Sequence, residues 1–238
     1  ELVADNRPSF TLNVIPESAS DIDQLLSRIG DLISLSERDI ERFMKRVKRN
    51  KRFQSIPLKY NLTEQDRAIL AVNSHILAGT EVSAQLMRHY PEGALLAHSL
   101  GYVGRINDRE IKKIDPEQYR GTDFIGKIGL EKYYENILLG EVGTEQVETD
   151  ARGRLMRILD KKDPVPGSNL TIYLDTELQR IAVEALQGER GALVAMDVKT
   201  GGILSMVSNP SYDPNLFTSG ISQKQYDGLL NSPDRPLF

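Results

Sequence analysis

A chain of 238 residues is long enough for one large or two ordinary domains. With 39% hydrophobic and 27% charged residues it can pack a core, which excludes a disordered polymer. The net charge of −4 gives no overall attraction to nucleic acid or to an anionic membrane, and the absence of cysteine excludes disulfides and thiolate metal centres.

No run approaches the roughly 20 apolar residues of a membrane span, and no signal peptide is legible. The start, Glu1-Leu2-Val3-Ala4-Asp5, has no initiator Met, and the end, Asp234-Arg235-Pro236-Leu237-Phe238, stops after an apolar pair. The expectation is a piece of a longer chain. Ser9–Ile15 alternates loosely and predicts a short strand. Ser20 then caps a helix with Ile22, Leu25, Leu26, Ile29 and Ile33 on one stripe, Asp23 closing a capping box. Ser36 and Asp39 repeat the device before Ile40, Phe43, Met44 and Val47; Thr63 and Asp66 repeat it before Ile69, Leu70 and Val72. Three short capped helices with strands between them predict a small α+β subdomain, whose stripes leave apolar surface for a partner or close inward on a core. The run Lys45–Arg52 holds six basic residues of eight. It reads either as a solvated helix end, its cations facing the negative end of the macrodipole, or as a contact for an acidic partner. No stacking aromatics interleave with it, which argues against nucleic acid.

Within Arg88–Ile106, Gly101 and Gly104 punctuate a short helix and permit backbone bends. His89 and His98 lie within it, but with one further His and no Cys a zinc site has weak support. Gly126–Glu135 superficially suggests a phosphate loop, yet the glycine spacing fails and no Gly-Lys-Ser/Thr follows. Asp163–Gly167 reads as a linker-like turn. After it, Leu170–Leu174 opens a final region. Leu178, Ile181, Ala182, Ala185 and Leu186 form the stripe of a helix capped by Asp175 and ended by Gly188. Ala192–Val198 and Ile203–Ser208 then read as two strands joined by Lys199-Thr200-Gly201-Gly202. Both are nearly continuous in apolar residues, which predicts cover on both faces inside a larger sheet. A rigid polar exit, Asn209-Pro210-Ser211-Tyr212-Asp213-Pro214-Asn215, follows.

Three of these stretches carry a resemblance. The hairpin D-x-x-T-G-G-I-L at Asp197–Leu204 with its S-N-P-S-Y-D-P-N exit resembles the opening of the penicillin-binding transpeptidase domain. Arg88–Gly104 resembles the class B pattern R-x-Y-P-x-G-x-x-A-A-H-x-L-G-Y-V-G, with a Leu where one alanine is common. Gly126–Gly143 is similar to G-x-x-G-L-E-x-x-Y-E-x-x-L-x-G-x-x-G of the same family, and the resemblance implies a pedestal helix leading into a strand pair that Glu145–Glu148, Gly153-Arg154 and Leu155–Leu159 continue. The tail, Tyr212–Phe217 with Gly220-Ile221-Ser222 and Leu230-Asn231-Ser232-Pro233, resembles the elongation-specific branch, and the short Gly220–Leu230 insertion favours that branch over the division-specific one.

The resemblance covers essentially the whole chain. It implies an α+β fold: a non-catalytic, dimerisation-type pedestal over 1–168, then the first helix and hairpin of a transpeptidase α/β sheet over 169–238. It implies a parent peptidoglycan D,D-transpeptidase, blocked by β-lactams, that cross-links stem peptides through an acyl-serine. The parent would lie on the periplasmic face of the bacterial inner membrane, with a single membrane helix outside this sequence. Implied partners are stem peptides and β-lactams for the parent, and for the pedestal the rod-system membrane glycosyltransferase and an MreC-like scaffold. An ion pair between Glu131 and Arg154 is implied by family layout. The chemistry needs S-x-x-K, S-x-N and K-T-G. No lysine here has a serine three residues before it, no serine stands two before an asparagine, and Lys199-Thr200-Gly201 sits in the hairpin turn, upstream of where the catalytic K-T-G belongs. The expectation is therefore no catalytic, cofactor-binding or metal-binding residue in this chain, and no cofactor. The other reading of the piece is a binding module, the pedestal itself docking partners.

Overall fold

A computed structural model describes residues 1–107, 109–150 and 155–237. The fold is α+β, as expected, and divides into two compact units, Asn6–Met87 and Glu1–Asp5 with Arg88–Phe238.

The first unit runs β1 (Asp5–Val14), α1 (Ile22–Leu32), α2 (Glu37–Arg49), β2 (Ile56–Lys59), α3 (Glu64–Val72) and β3 (Thr80–His89), with strand order β2-β1-β3. Ser36 and Thr63 form the expected capping boxes with Asp39 and Asp66. At α1 the cap is Asp21, not Ser20: its carboxylate accepts from the amides of Asp23 and Gln24, and a charged acceptor suits the positive end of the helix. The helical stripes bury themselves. Leu25, Leu26, Ile29, Ile33, Phe43 and Leu70 close with Leu12, Val14, Ile56, Leu58, Leu62 and Leu77 into one core. Of the two readings of these stripes, closure inward on a core is the one found. Val72, at the end of α3, is the exception and stays exposed.

The second unit holds α4 (Ala97–Leu100), β4 (Tyr102–Arg105), β5 (Phe124–Ile128), α5 (Gly129–Tyr133), α6 (Glu135–Leu138), β6 (Thr144–Thr149), β7 (Leu155–Lys162), α7 (Thr176–Ala185), β8 (Gly191–Met196), β9 (Ile203–Asn209), α8 (Asn215–Ser219) and α9 (Gln223–Leu230). Its strands pair two by two: β4-β5, β6-β7 and β8-β9, all antiparallel. Gly101 ends α4 at φ +75°, and a Cβ there would run into the carbonyl of Ile128, so only glycine fits this bend. Glu135 anchors the β5–α6 corner, accepting from the Gly126 amide (2.6 Å) and the Tyr119 hydroxyl (3.1 Å); burial pushes its carboxyl above the usual range despite both donors.

Candidate functional site

The hairpin β8–β9 pairs Leu193 with Val207, Val194 with Met206 and Ala195 with Ser205. Its inner face carries buried Ser205 and Val207. α7 lies against that face, and Gln179, 1% exposed, holds the two together. Its Oε1 accepts from Ser205 Oγ and from the Met206 amide (both 2.9 Å), while its Nε2 donates to the carbonyls of Met206 (2.8 Å) and Leu95 (3.0 Å).

The other face is bare among the described residues: Val194 is 60% and Met196 58% exposed, with Ile203 also exposed. The expectation of cover on both faces is corrected. One helix and two strands supply one layer, and a two-sided sheet needs more chain than this. α7 shows the same asymmetry. It buries Thr176, Gln179 and Ala182, and leaves Ile181 exposed, so the sequence stripe pointed partly the wrong way.

Lys199-Thr200-Gly201 is consumed by turn geometry. Asp197 accepts from the Lys199 amide (3.0 Å) and the Thr200 hydroxyl (2.6 Å), and Thr200 Oγ1 in turn accepts from the Gly202 amide (3.2 Å). The Thr200 hydroxyl, then the Lys199 amide, hold the Asp197 carboxyl below its usual range. Only Gly201 takes positive φ, +73°; Gly202 does not use the freedom the sequence offered.

The exit from β9 runs along residues 90–102 and brings two of the motif stretches together. Tyr90 N–H donates to Asn215 Oδ1 (2.9 Å) and Asn215 Nδ2 donates back to the Tyr90 carbonyl (3.0 Å), a reciprocal pair like one rung of a β-ladder. Ser211 Oγ donates to the Ala94 carbonyl (2.7 Å) and Tyr212 Oη to that of Ala97 (3.3 Å). Tyr102 stacks on Phe217 with centroids 3.9 Å apart, and His98 meets Tyr212 edge-on at 5.4 Å. Burial pushes the hydroxyls of Tyr90 and Tyr212 well above the usual tyrosine range, so both stay neutral.

Beside this junction, Arg88 Nε donates to Glu131 Oε1 (2.7 Å). Arg154, the other partner suggested for Glu131, lies outside the described residues. His89 Nδ1 sits 2.9 Å from Asp5 Oδ1, and His98 Nε2 sits 3.4 Å from the Pro210 carbonyl. His89 and His98 thus each have a partner in the fold. The junction's polar groups are committed to holding chain segments together. What it offers outward is the bare face of β8–β9.

A second surface is the end of α2. Arg42, Lys45, Lys48, Arg49, Lys51 and Arg52 are exposed, and Arg46 Nη1 donates to the Tyr60 hydroxyl (2.7 Å). Asn50 caps the helix, its amide and side chain both donating to the Arg46 carbonyl.

Residues 1–172 match the penicillin-binding protein dimerisation domain, and residues 191–233 the penicillin-binding protein transpeptidase domain. The peptidoglycan D,D-transpeptidase MrdA of Acinetobacter baumannii is 43% identical over 237 residues, all of this chain and 35% of that protein. MrdA of Escherichia coli is 42% identical over 236 residues, 98% of this chain and 37% of that protein. The chain therefore spans little more than a third of these relatives. A solved complex between PBP2 and MreC from Helicobacter pylori matches with a TM-score of 0.78 at 26% identity, over 100% of this chain and 45% of that one. PBP2 of Pseudomonas aeruginosa in complex with WCK 5153 matches with a TM-score of 0.55 at 47% identity, over 65% of this chain and 30% of that one.

Proposed function

This chain belongs to the penicillin-binding proteins, and from that premise we propose that it is the pedestal and the opening of the catalytic sheet of an elongation-type peptidoglycan D,D-transpeptidase. Residues 1–168 form the pedestal and 169–238 open the transpeptidase domain. The ranges 1–172 and 191–233 of the two family matches support this division. The carrying observation is the bare apolar face of β8–β9, an edge layer that lacks the rest of its sheet. In the whole enzyme a serine, its proton drawn off with the help of a lysine one helical turn on, attacks the last peptide carbonyl of a donor stem peptide; that peptide bond breaks, the terminal residue leaves as the protonated amine, and an acyl-serine remains. An acceptor amine then attacks the ester, taking the acyl group as a new amide while the serine oxygen regains its proton, and β-lactams block the serine by acylating it. The enzyme faces the periplasm from the bacterial inner membrane.

None of that chemistry resides in this chain. It has no S-x-x-K and no S-x-N, and its one K-T-G is tied into the Asp197 turn. Incubation with a fluorescent penicillin, followed by a denaturing gel, is expected to give no covalent band. A band that survives boiling would overturn the assignment.

What the piece does by itself is dock. A PBP2 relative solved together with MreC supports an MreC-like scaffold as the partner of the pedestal, with the rod-system membrane glycosyltransferase as a second.

A further inference from the structure

From residue 42 to residue 52 the chain carries seven Lys or Arg and no Asp or Glu, in a protein whose net charge is −4. Such a concentration needs a reason, because like charges one or two helical turns apart repel. Part of it is local: Arg46, Lys48 and Arg49 occupy the last turn of α2, where cations face the negative end of the helix. That accounts for one turn. It does not account for Arg42 and Lys45 further up the helix, or for Lys51 and Arg52 beyond its end.

Among the described residues, Arg42, Lys45, Lys48, Lys51 and Arg52 show no ion pair. They are nevertheless held in place. α2 is seated by Phe43, fully buried in the core of its unit. The loop after it is pinned by the Glu17 amide to the Arg52 carbonyl (2.8 Å) and by the Lys51 amide to Gln54 Oε1 (3.0 Å). Phe53 is 45% exposed at the end of the run, with Lys51 Nζ 5.8 Å from its ring centroid. The result is a fixed positive surface with one apolar anchor at its rim.

We propose that this surface, residues 42–53, is the docking site for an acidic protein segment, the charges speeding its approach and Phe53 holding it. The inference rests on the reading of the pedestal as a docking module and names the chemistry of what docks. A lipid surface fits less well. An interfacial helix needs a free apolar face, and the apolar side of α2 is spent on the core, leaving Phe53 alone to insert. Nucleic acid would want a row of stacking aromatics, where here there is one.

Charge steering acts on association and is screened by salt, whereas a local anchor acts on dissociation. The test compares the 238-residue chain with the variant Lys48→Glu, Arg49→Glu, Lys51→Glu. Surface plasmon resonance measures both against the soluble MreC domain and against a twelve-residue glutamate peptide with a central leucine, at about 30 and about 300 mM salt. At low salt the variant should associate with MreC and with the peptide roughly tenfold or more slowly, with dissociation within about twofold; high salt should erase the difference. Phe53→Ser should do the reverse, speeding dissociation only. A triple Gln variant replaces the Glu one if melting shows that charge reversal unfolds the chain. Equal association of wild type and variant with MreC overturns this inference and leaves the scaffold reading standing. Charge-dependent peptide binding without any MreC binding keeps this surface and removes the scaffold. Binding to vesicles with 30 mol% phosphatidylglycerol in preference to the peptide overturns it in favour of a membrane.

Discussion

Gln179 fills its whole hydrogen-bonding capacity, two donors and two acceptor positions, at a site 1% exposed. Its partners come from β9 and from Leu95, so one amide ties α7 to the hairpin and to the segment before α4. Gln179→Leu keeps the volume and removes the partner of the Met206 amide, the Leu95 carbonyl and the Ser205 hydroxyl, leaving the Met206 carbonyl only the Ser99 hydroxyl at 3.4 Å. Unsatisfied buried groups cost about 1–3 kcal/mol each, and some will find water, so the loss should be about 2–4 kcal/mol in urea unfolding. A loss under about 0.5 kcal/mol would show that the clamp is not structural. Gln179→Glu keeps the shape but sets a carboxylate against two carbonyls, so acidification should return part of its loss. This residue was invisible in the sequence because the apolar stripe of α7 ran past it: periodicity counts apolar positions, and a satisfied buried amide looks polar. The Tyr90–Asn215 pair was hidden for a related reason, joining residues 125 apart through a backbone that no spacing rule connects.

At the scale of elements, local rules did well where the cause is local. The capping boxes of α2 and α3 and the Asp175 cap of α7 stand where side chains three residues apart can reach one another. The hairpin β8–β9 follows its apolar runs and turn residues, and β6–β7 stands where the family resemblance implied a strand pair. Ser20 lost to Asp21 because two adjacent residues compete for one cap, and only geometry decides. The face assignments of α7 and β8 failed because what covers an element is decided by the rest of the chain. One cap yields a prediction. Asp66 accepts from Lys59 Nζ (3.0 Å) and from the Thr63 amide (3.1 Å). Partial burial alone would raise its carboxyl; the Lys59 ammonium and the Thr63 groups outweigh that and hold it below the ordinary aspartate value of 3.8. The folded-state value is the lower one, so the unfolded chain takes up the proton first as acid is added. The stabilisation is complete well above pH 3.8 and is lost as pH falls below it. Asp66→Asn should therefore melt lower than wild type at pH 7, by about 0.5–1.5 kcal/mol of stability, and the gap should shrink below pH 3.8. A gap that stays constant down to about pH 2.5 would rule out the Lys59 pairing as its source.

For the whole molecule, what matters is which stretches close their own core. The twelve buried residues at the centre of the first unit all lie between Leu12 and Leu77, and the side chains packed around them lie between Phe10 and Ile69. Among the described residues, the hydrophobic side chains of this core all come from 6–87. The region 169–238 is built the other way. Tyr212 and Phe217 pack on Ala97 and Tyr102, Ile172 and Leu174 on Tyr90 and Leu96, and Gln179 and Asn215 spend their hydrogen bonds on Leu95 and Tyr90. Cut free, it would expose those aromatics in addition to Val194 and Met196 on the bare face of the hairpin, which is itself a two-stranded sheet with open edges. Three pieces should then behave differently. Residues 6–87 should be monomeric and melt cooperatively. Residues 169–238 should aggregate or melt without a cooperative transition. Residues 88–238 should regain cooperativity, weakened by the loss of Val3 and Ala4 from the Tyr90 cluster. Analytical ultracentrifugation and thermal circular dichroism on the three decide it. A monomeric, cooperatively melting 169–238 would mean that the first helix and hairpin of the sheet fold without residues 90–102, and the junction described above would then be an ornament on a domain that stands alone.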